Sequence, residues 1–245
     1  MEQIIYGINP VMEALRAPDT KVKEILIAQG RKGNLERILQ LAGEQHVRVR
    51  YRAGNDLTAL AKARFHQGVV AMVEDYGYAT LDRIIDRWKK SGIKALILVV
   101  DSIQDPRNLG ALVRTANVCG AHGVIIPRDR AARITPIVVK ASAGATALTP
   151  VARVTNIAST LERLKEEGIW ILGAEAEAET SFFQQDMTMD LAMVIGSEGR
   201  GIRPLVLSKC DLTVSIPMRG QIPSLNASVA AGILLYEVIR QRLMI

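Results

Sequence analysis

Three separated segments of this 245-residue chain set polar side chains beside glycines and the ends of apolar runs. In residues 98–126 an apolar run ends near Asp101, Pro106 and Asn108 mark a turn and a helix start, and Gly120 marks the helix end. Along that helix Leu109, Leu112, Val113 and Ala116 form the apolar stripe. At about 100° per residue, Arg114 lies roughly 140° from the stripe's centre and is no core residue. An arginine beside the carboxyl end of a strand, where open α/β sheets bind ligands, is a candidate active-site group; a solvent-facing helix arginine has the same spacing.

The second segment is an apolar run at 191–195 that meets Gly196-Ser197-Glu198-Gly199-Arg200-Gly201. Its G-x-x-G-x-G order is not the dinucleotide G-x-G-x-x-G, and no Lys-Ser/Thr follows as a P-loop requires. Glu198 would repel phosphate. The loop therefore suits a phosphate-free ligand, approached closely by glycine backbone, or else a plain tight turn. In the third segment Pro217, Gly220 and Pro223 keep the chain irregular, and Ser224 and Asn226 precede a helix, where capping alone would explain either. From Ser228 that helix carries Val229, Ala230, Ala231, Ile233, Leu234, Leu235 and Tyr236, apolar nearly all round. Such a helix must be covered on every side, which predicts a subunit interface, most simply that of a two-fold homodimer.

Periodicity predicts the elements that carry these segments. Residues 22–28 are β-rich. From Asn34, a residue type that caps helices, Leu35, Ile38, Leu39 and Ala42 recur at i, i+3, i+4 and i+7. Over 47–52, Val47, Val49 and Tyr51 alternate with Arg48, Arg50 and Arg52. The arginines share one strand face at about 6.6 Å intervals, a spacing that fits a phosphate backbone or simply a solvated face. A short helix around 56–63 leads to a strand at 68–74, so residues 1–75 read as a small α/β domain with its own core. Residues 76–92 hold no strong core pattern, carry Asp82, Arg83, Asp86, Arg87, Lys89 and Lys90, and are expected to be a linker, in part helical. Short apolar runs at 95–100, 124–126, 169–174, 191–196 and 212–216 then predict an α/β domain over 93–245, its parallel sheet covered on both faces.

Lys and Arg total 31 against 25 Asp and Glu, a net charge of +6, which favours an anionic partner such as nucleic acid. Residues 104–153 hold seven Lys/Arg and two Asp/Glu; residues 154–190 hold two and eight. Arg128 and Arg130, in the basic stretch, join Arg48, Arg50 and Arg52 as candidate RNA contacts. Cys119 and Cys210 are far apart and only three histidines accompany them, so neither a disulfide framework nor a metal site is expected. The longest apolar run, 229–236, is far short of the roughly 20 residues a membrane span needs, and the opening MEQIIYGINP lacks signal-peptide regions. The expectation is a cytoplasmic protein.

Together, N-L-G-A-L-V-R-T-A (108–116), I-G-S-E-G-R-G (195–201) and I-P-M-x-G-x-x-x-S-L-N-A-S-V-A (216–230) resemble, in order and spacing, the three signature motifs of the SpoU/TrmH family. These are RNA ribose 2′-O-methyltransferases of the SPOUT superfamily, and the resemblance covers about 95–245. Y-G-I-N-P-V from Tyr6 and H-Q-G-V-V-A from His66 are similar to the L30e-like substrate-binding domain attached in some members. Arg200 and Ala227 depart from the pattern, standing where an acidic residue and a valine are frequent.

The resemblance implies a deep trefoil knot, which general fold rules almost exclude and periodicity could not propose. It implies S-adenosylmethionine held by loops matching Gly196, Ile216 and Leu225, with the strand end at Gly173 and Ala174 close by. It implies methyl transfer to a guanosine of large-subunit (23S) ribosomal RNA, with a catalytic set of Asn108, Arg114, Glu198, Ser224 and Asn226. The family proposal makes the arginine matching Arg114 the general base. Deprotonating a guanidinium near neutral pH costs about 7 kcal/mol. Holding a substrate phosphate and stabilising a developing alkoxide demands much less, and is the role expected of Arg114. Glu198 is expected to orient Arg114, while Asn108, Ser224 and Asn226 organise the pocket. The rival readings are a transfer-RNA methyltransferase and a non-catalytic RNA-binding assembly factor; a Rossmann-type enzyme lacks its early glycine fingerprint.

Overall fold

The computed structural model describes residues 2–16, 21–31, 35–63 and 65–244. It divides into two compact units, Met1–Gly77 with Ile134–Lys140, and Tyr78–Arg133 with Ala141–Ile245.

The first unit contains β1 (Glu2–Tyr6), α1 (Ile8–Arg16), β2 (Val22–Ala28), α2 (Glu36–Glu44), β3 (Arg48–Arg52), α3 (Gly54–Ala61) and β4 (Val69–Glu74). Its strands form a sheet in the order β1-β4-β2-β3, with β3 on the edge and parallel to β2. Ile25 and Ile27 of β2 bury one face with Val11, Leu15, Ile38 and Leu41 of α1 and α2. Leu26 and Val70 bury the other against Leu57 of α3. The register pairs Glu24, Leu26 and Ala28 with Arg48, Arg50 and Arg52, so the arginine row shares the α3 face. Tyr51, on the opposite face, is 56% exposed because an edge strand has no outer neighbour to cover it. Asn34 lies outside the described residues, and the helix starts after Leu35; it buries Ile38, Leu41 and Ala42, while Leu39 faces solvent.

The second unit contains α4 (Leu81–Ser91), β5 (Leu96–Val100), α5 (Pro106–Val118), β6 (Gly123–Pro127), α6 (Pro136–Ala141, across the division), α7 (Ala145–Leu148), β7 (Val151–Val154), α8 (Ile157–Glu166), β8 (Trp170–Ala174), β9 (Leu191–Ile195), α9 (Pro204–Leu207), β10 (Leu212–Val214) and α10 (Ala227–Leu243). The sheet runs β10-β8-β9-β5-β6-β7 with every pairing parallel. β5 and β9 are buried throughout at its centre, as continuous apolar strands must be when both faces are covered.

One expectation is corrected here. The stretch 76–92 is not all linker: α4 is capped by Thr80, whose Oγ1 accepts from Arg83 N at 3.2 Å, and it buries Ile84 and Ile85 among Ile97, Val99 and Ile125. A Cβ at Gly123 would lie 2.5 Å from Ile84 Cδ1, so that glycine is what lets the helix dock. α10 is covered by its own chain on one side only. Ala227, Ala231, Leu234, Leu235 and Val238 are buried, but Val229, Tyr236 and Leu243 are 50%, 54% and 81% exposed. Among the described residues no helix is long and apolar enough to cross a membrane, and no three His, Cys, Asp or Glu residues group to hold a metal.

Candidate functional site

At the carboxyl end of the central strands, β5 passes into Asp101, whose side chain is wholly buried. A buried carboxylate needs donors, and Arg203 supplies them: its N reaches Oδ2 at 2.9 Å, its Nε reaches Oδ1 at 2.8 Å, and its Nη2 reaches Oδ1 at 2.6 Å. This clamp ties the loop after β9 to the start of the segment that launches α5. Asp105 caps α5 by accepting from Arg107 N at 2.8 Å, with Pro106 in the first turn. With Leu109, Leu112, Val113 and Ala116 buried, Asn108 is left half-buried and Arg114 exposed.

The loop after β9 closes on itself. Ser197 N donates to Gly201 O at 3.0 Å and Gly201 N to Ser197 O at 2.9 Å. A Cβ at Gly196 would lie 2.1 Å from the Gly201 carbonyl carbon, so no other residue fits there. Gly199 and Gly201 hold φ of +77° and +65°, the left-handed region that glycine occupies most readily. The closed loop aims Glu198 at the other two segments. Its Oε1 accepts from Asn108 Nδ2 at 2.9 Å and Asn226 Nδ2 at 2.5 Å, and Asn226 Nδ2 also donates to Asn108 Oδ1 at 3.0 Å. Asn226 in turn caps α10, its Oδ1 accepting from Ser228 N at 2.9 Å. A Cβ at Gly232 would lie 3.9 Å from Thr115 Cγ2, so α5 and α10 continue side by side from this junction.

The structure thus joins Asn108, Glu198 and Asn226, and leaves two residues of the expected set outside the cluster. No hydrogen bond or ion pair links Glu198 to Arg114, and Arg114 has no such partner among the described residues. Six residues separate Asn108 from Arg114, about 9 Å of helix rise and about 120° of rotation, so a carboxylate engaged by Asn108 sits over another face of α5. Ser224 is exposed and has no partner among the described residues; the cap is Asn226 alone.

Of the expected cofactor contacts, Gly196 lies at the base of the glycine loop, Ala174 ends β8, and Ile216 and Leu225 are half-buried in the irregular stretch before α10. Gly173 answers to packing, because a Cβ there would lie 2.9 Å from Cys210 Sγ. Burial pushes the Cys210 thiol up to about 12 and the Cys119 thiol up to about 11, so neither is poised as a nucleophile.

The candidate RNA contacts fall in both units. Arg48 and Arg52 are exposed and unpaired among the described residues, whereas Arg50 Nε meets Glu24 Oε1 at 3.0 Å. Arg128 and Arg130 are exposed beyond β6; Arg153 Nη2 braces the turn by donating to Arg128 O at 2.7 Å. The two N-terminal motifs meet: Ile8 N donates to Gln67 Oε1 at 2.9 Å, and His66 Nδ1 accepts from Gly68 N at 3.1 Å. Reasoning from sequence missed Asp101 and Arg203 as a pair. The available signal was an ionisable residue directly continuing a five-residue apolar run, which burial obliges to find a partner.

Residues 95–236 match the model of the SpoU rRNA methylase family, and residues 4–79 match one described as RNA 2′-O ribose methyltransferase substrate binding. Similar curated proteins include YacO of Bacillus subtilis, named as of the TrmH family and of tRNA/rRNA type, 44% identical over 97% of this chain and 95% of that protein. The 23S rRNA (guanosine-2′-O-)-methyltransferase RlmB of Pseudomonas putida is 42% identical over 97% of this chain and 96% of its own. Among solved structures, the SpoU methyltransferase AviRb of Streptomyces viridochromogenes, in complex with AdoMet (S-adenosylmethionine), superposes with a TM-score of 0.66 at 29% identity, covering 99% of this chain and 91% of that one.

Proposed function

The chain belongs to the SpoU rRNA methylase family, and we propose that it methylates the ribose 2′-hydroxyl of a guanosine in 23S ribosomal RNA. An RNA 2′-O-methyltransferase using S-adenosylmethionine is what the family and the AdoMet-bound neighbour support. The guanosine and the 23S substrate are supported by the names of RlmB relatives.

The observation that carries the chemistry is the division of labour at the carboxyl end of the sheet. Asn108, Glu198 and Asn226 satisfy one another and fix three segments; Arg114, on the same helix as Asn108, is left with a free guanidinium. A free guanidinium suits a fork-like grip on substrate phosphate and on the oxygen that gains charge as the 2′-hydroxyl loses its proton. Gly196, Ile216, Leu225 and the Gly173–Ala174 strand end would hold S-adenosylmethionine, which supplies the reactive methyl when bound. The fit is chemical: Glu198 in the glycine loop disfavours phosphate, and this ligand has none. Ser224, exposed and without a partner among the described residues, would turn its hydroxyl to the same pocket.

Residues 1–75 serve in this reading as the RNA-binding domain, through Arg48 and Arg52, with Arg128 and Arg130 contributing from the second unit; the substrate-binding match over 4–79 supports it. The trefoil knot belongs to the same reading. In its support, the stretch after edge strand β10 must return over the strand ends for Asn226 to reach Asn108 and Glu198. So does the homodimer: Val229, Tyr236 and Leu243 recur every seven residues as an exposed apolar stripe on α10, the spacing of a helix-pairing seam.

The test is methyl transfer from labelled donor to 23S rRNA and tRNA transcripts, with 2′-O-methyl mapping of the product. Label on one guanosine of 23S rRNA is expected. Label confined to tRNA would replace the substrate, and binding of RNA without transfer would make the chain an assembly factor.

A further inference from the structure

Once the site is assembled, one carboxylate near it remains unused. Glu175 directly follows Gly173 and Ala174 at the end of β8. Its N donates to Val214 O at 3.0 Å, two residues before Ile216. Its carboxylate lies against the glycine loop, since a Cβ at Gly201 would sit 3.6 Å from Oε2 and 4.0 Å from Oε1. The residue is half-buried, yet among the described residues no hydrogen bond or ion pair engages that carboxylate. Glu198 of the same loop has its Oε1 engaged by Asn108 and Asn226, whereas Glu175 has no donor among the described residues. A charge partly withdrawn from water without donors is unfavourable and points to a ligand that brings them.

We propose that Glu175 is a binding residue for the methyl donor, accepting hydrogen bonds from the ligand's own donor groups. The inference rests on the reading that Gly196, Ile216 and the Gly173–Ala174 strand end line the cofactor site, because Glu175 lies among these three. S-adenosylmethionine carries suitable donors in the ribose diol, the adenine amine and the amino-acid ammonium, and no phosphate for the carboxylate to repel. A carboxylate at the carboxyl end of a parallel strand can accept both hydroxyls of a diol.

Binding of S-adenosylmethionine, S-adenosylhomocysteine and 5′-methylthioadenosine to the full chain is measured by calorimetry for wild type, E175A, E175Q and the neighbouring control E177Q. E175A is expected to weaken the first two ligands roughly tenfold or more, with E175Q between it and wild type and E177Q unchanged. Parallel weakening of 5′-methylthioadenosine, which keeps the diol and the adenine amine but lacks the amino acid, assigns the contact to the nucleoside; unchanged binding of that ligand assigns it to the ammonium. Unchanged affinity for all three overturns the proposal. So does an equal loss in E177Q, or a loss confined to S-adenosylmethionine, since either reflects a diffuse field instead of a hydrogen bond. If wild type binds none of the three, the cofactor reading itself fails.

Discussion

Polar groups are handled in opposite ways at the junction of α5, the glycine loop and α10, and along the outer edge of β3. At the junction, side chains from positions 108, 198 and 226 are spent on one another at 2.5–3.0 Å, above a clamp whose carboxylate has no solvent exposure. Along β3, Arg48 and Arg52 sit two strand positions either side of Arg50, exposed and unpaired among the described residues. A preorganised site is built from distant segments whose groups depend on each other, so single losses spread. A polyanion surface is local, and each cation contributes separately. Arg114 combines the two: it stands on the helix that carries Asn108, yet it is free like Arg48 and Arg52.

That hybrid position gives the largest expected effect. Arg114→Ala should lower methyl transfer by about 10²–10³-fold while leaving the Kd for S-adenosylmethionine unchanged. A parallel loss of donor binding, read by calorimetry, would move Arg114 into the scaffold. Next is the clamp. Arg203→Ala removes the guanidinium from Asp101 at full burial, leaving only the backbone N of residue 203 and Ser102 Oγ as donors, and should cost about 3 kcal/mol in urea unfolding. Asp101→Asn should cost less, because Arg203 is 43% exposed and can turn to water; equal costs would break the asymmetry.

Asn226 separates capping from clustering. Asp caps a helix as well as Asn, so Asn226→Asp should hold the melting temperature better than Asn226→Ala, which loses about 1 kcal/mol. It should nevertheless transfer methyl groups more slowly than Asn226→Ala, since a second carboxylate would face Glu198 where a donor now sits at 2.5 Å. The smallest effects belong to the β3 edge. Arg48→Ala and Arg52→Ala should each reduce the salt slope of RNA binding by about one and spare donor binding, with Arg50→Ala giving less because Glu24 already engages it.

What the sequence disclosed about these regions follows the range of the forces involved. The apolar runs of β5 and β9, the α5 stripe and the alternating arginines of β3 are local periodicities, and each sits where its spacing predicts. In α4 Leu81, Ile84, Ile85 and Trp88 recur at i, i+3, i+4 and i+7, but six charges between them masked the core stripe that Gly123 makes room for, so the stretch read as a partly helical linker. The uniformly apolar α10 carried no phase by which to tell its buried side from its exposed one. Asp101 and Arg203 are 102 residues apart, and no window of sequence contains both. The family motifs marked Asn108, Glu198 and Asn226 as a set, but which of them touch, and that Arg114 stands outside their bonds, is a matter of how three loops converge.

The most direct test is a crystal structure of the chain with S-adenosylmethionine bound. The ligand is expected between the 196–201 loop and the 216–225 stretch, beside the end of β8, with Arg114 pointing towards the donor methyl. A ligand seated elsewhere, or Arg114 turned away from it in every copy, would rule out this site.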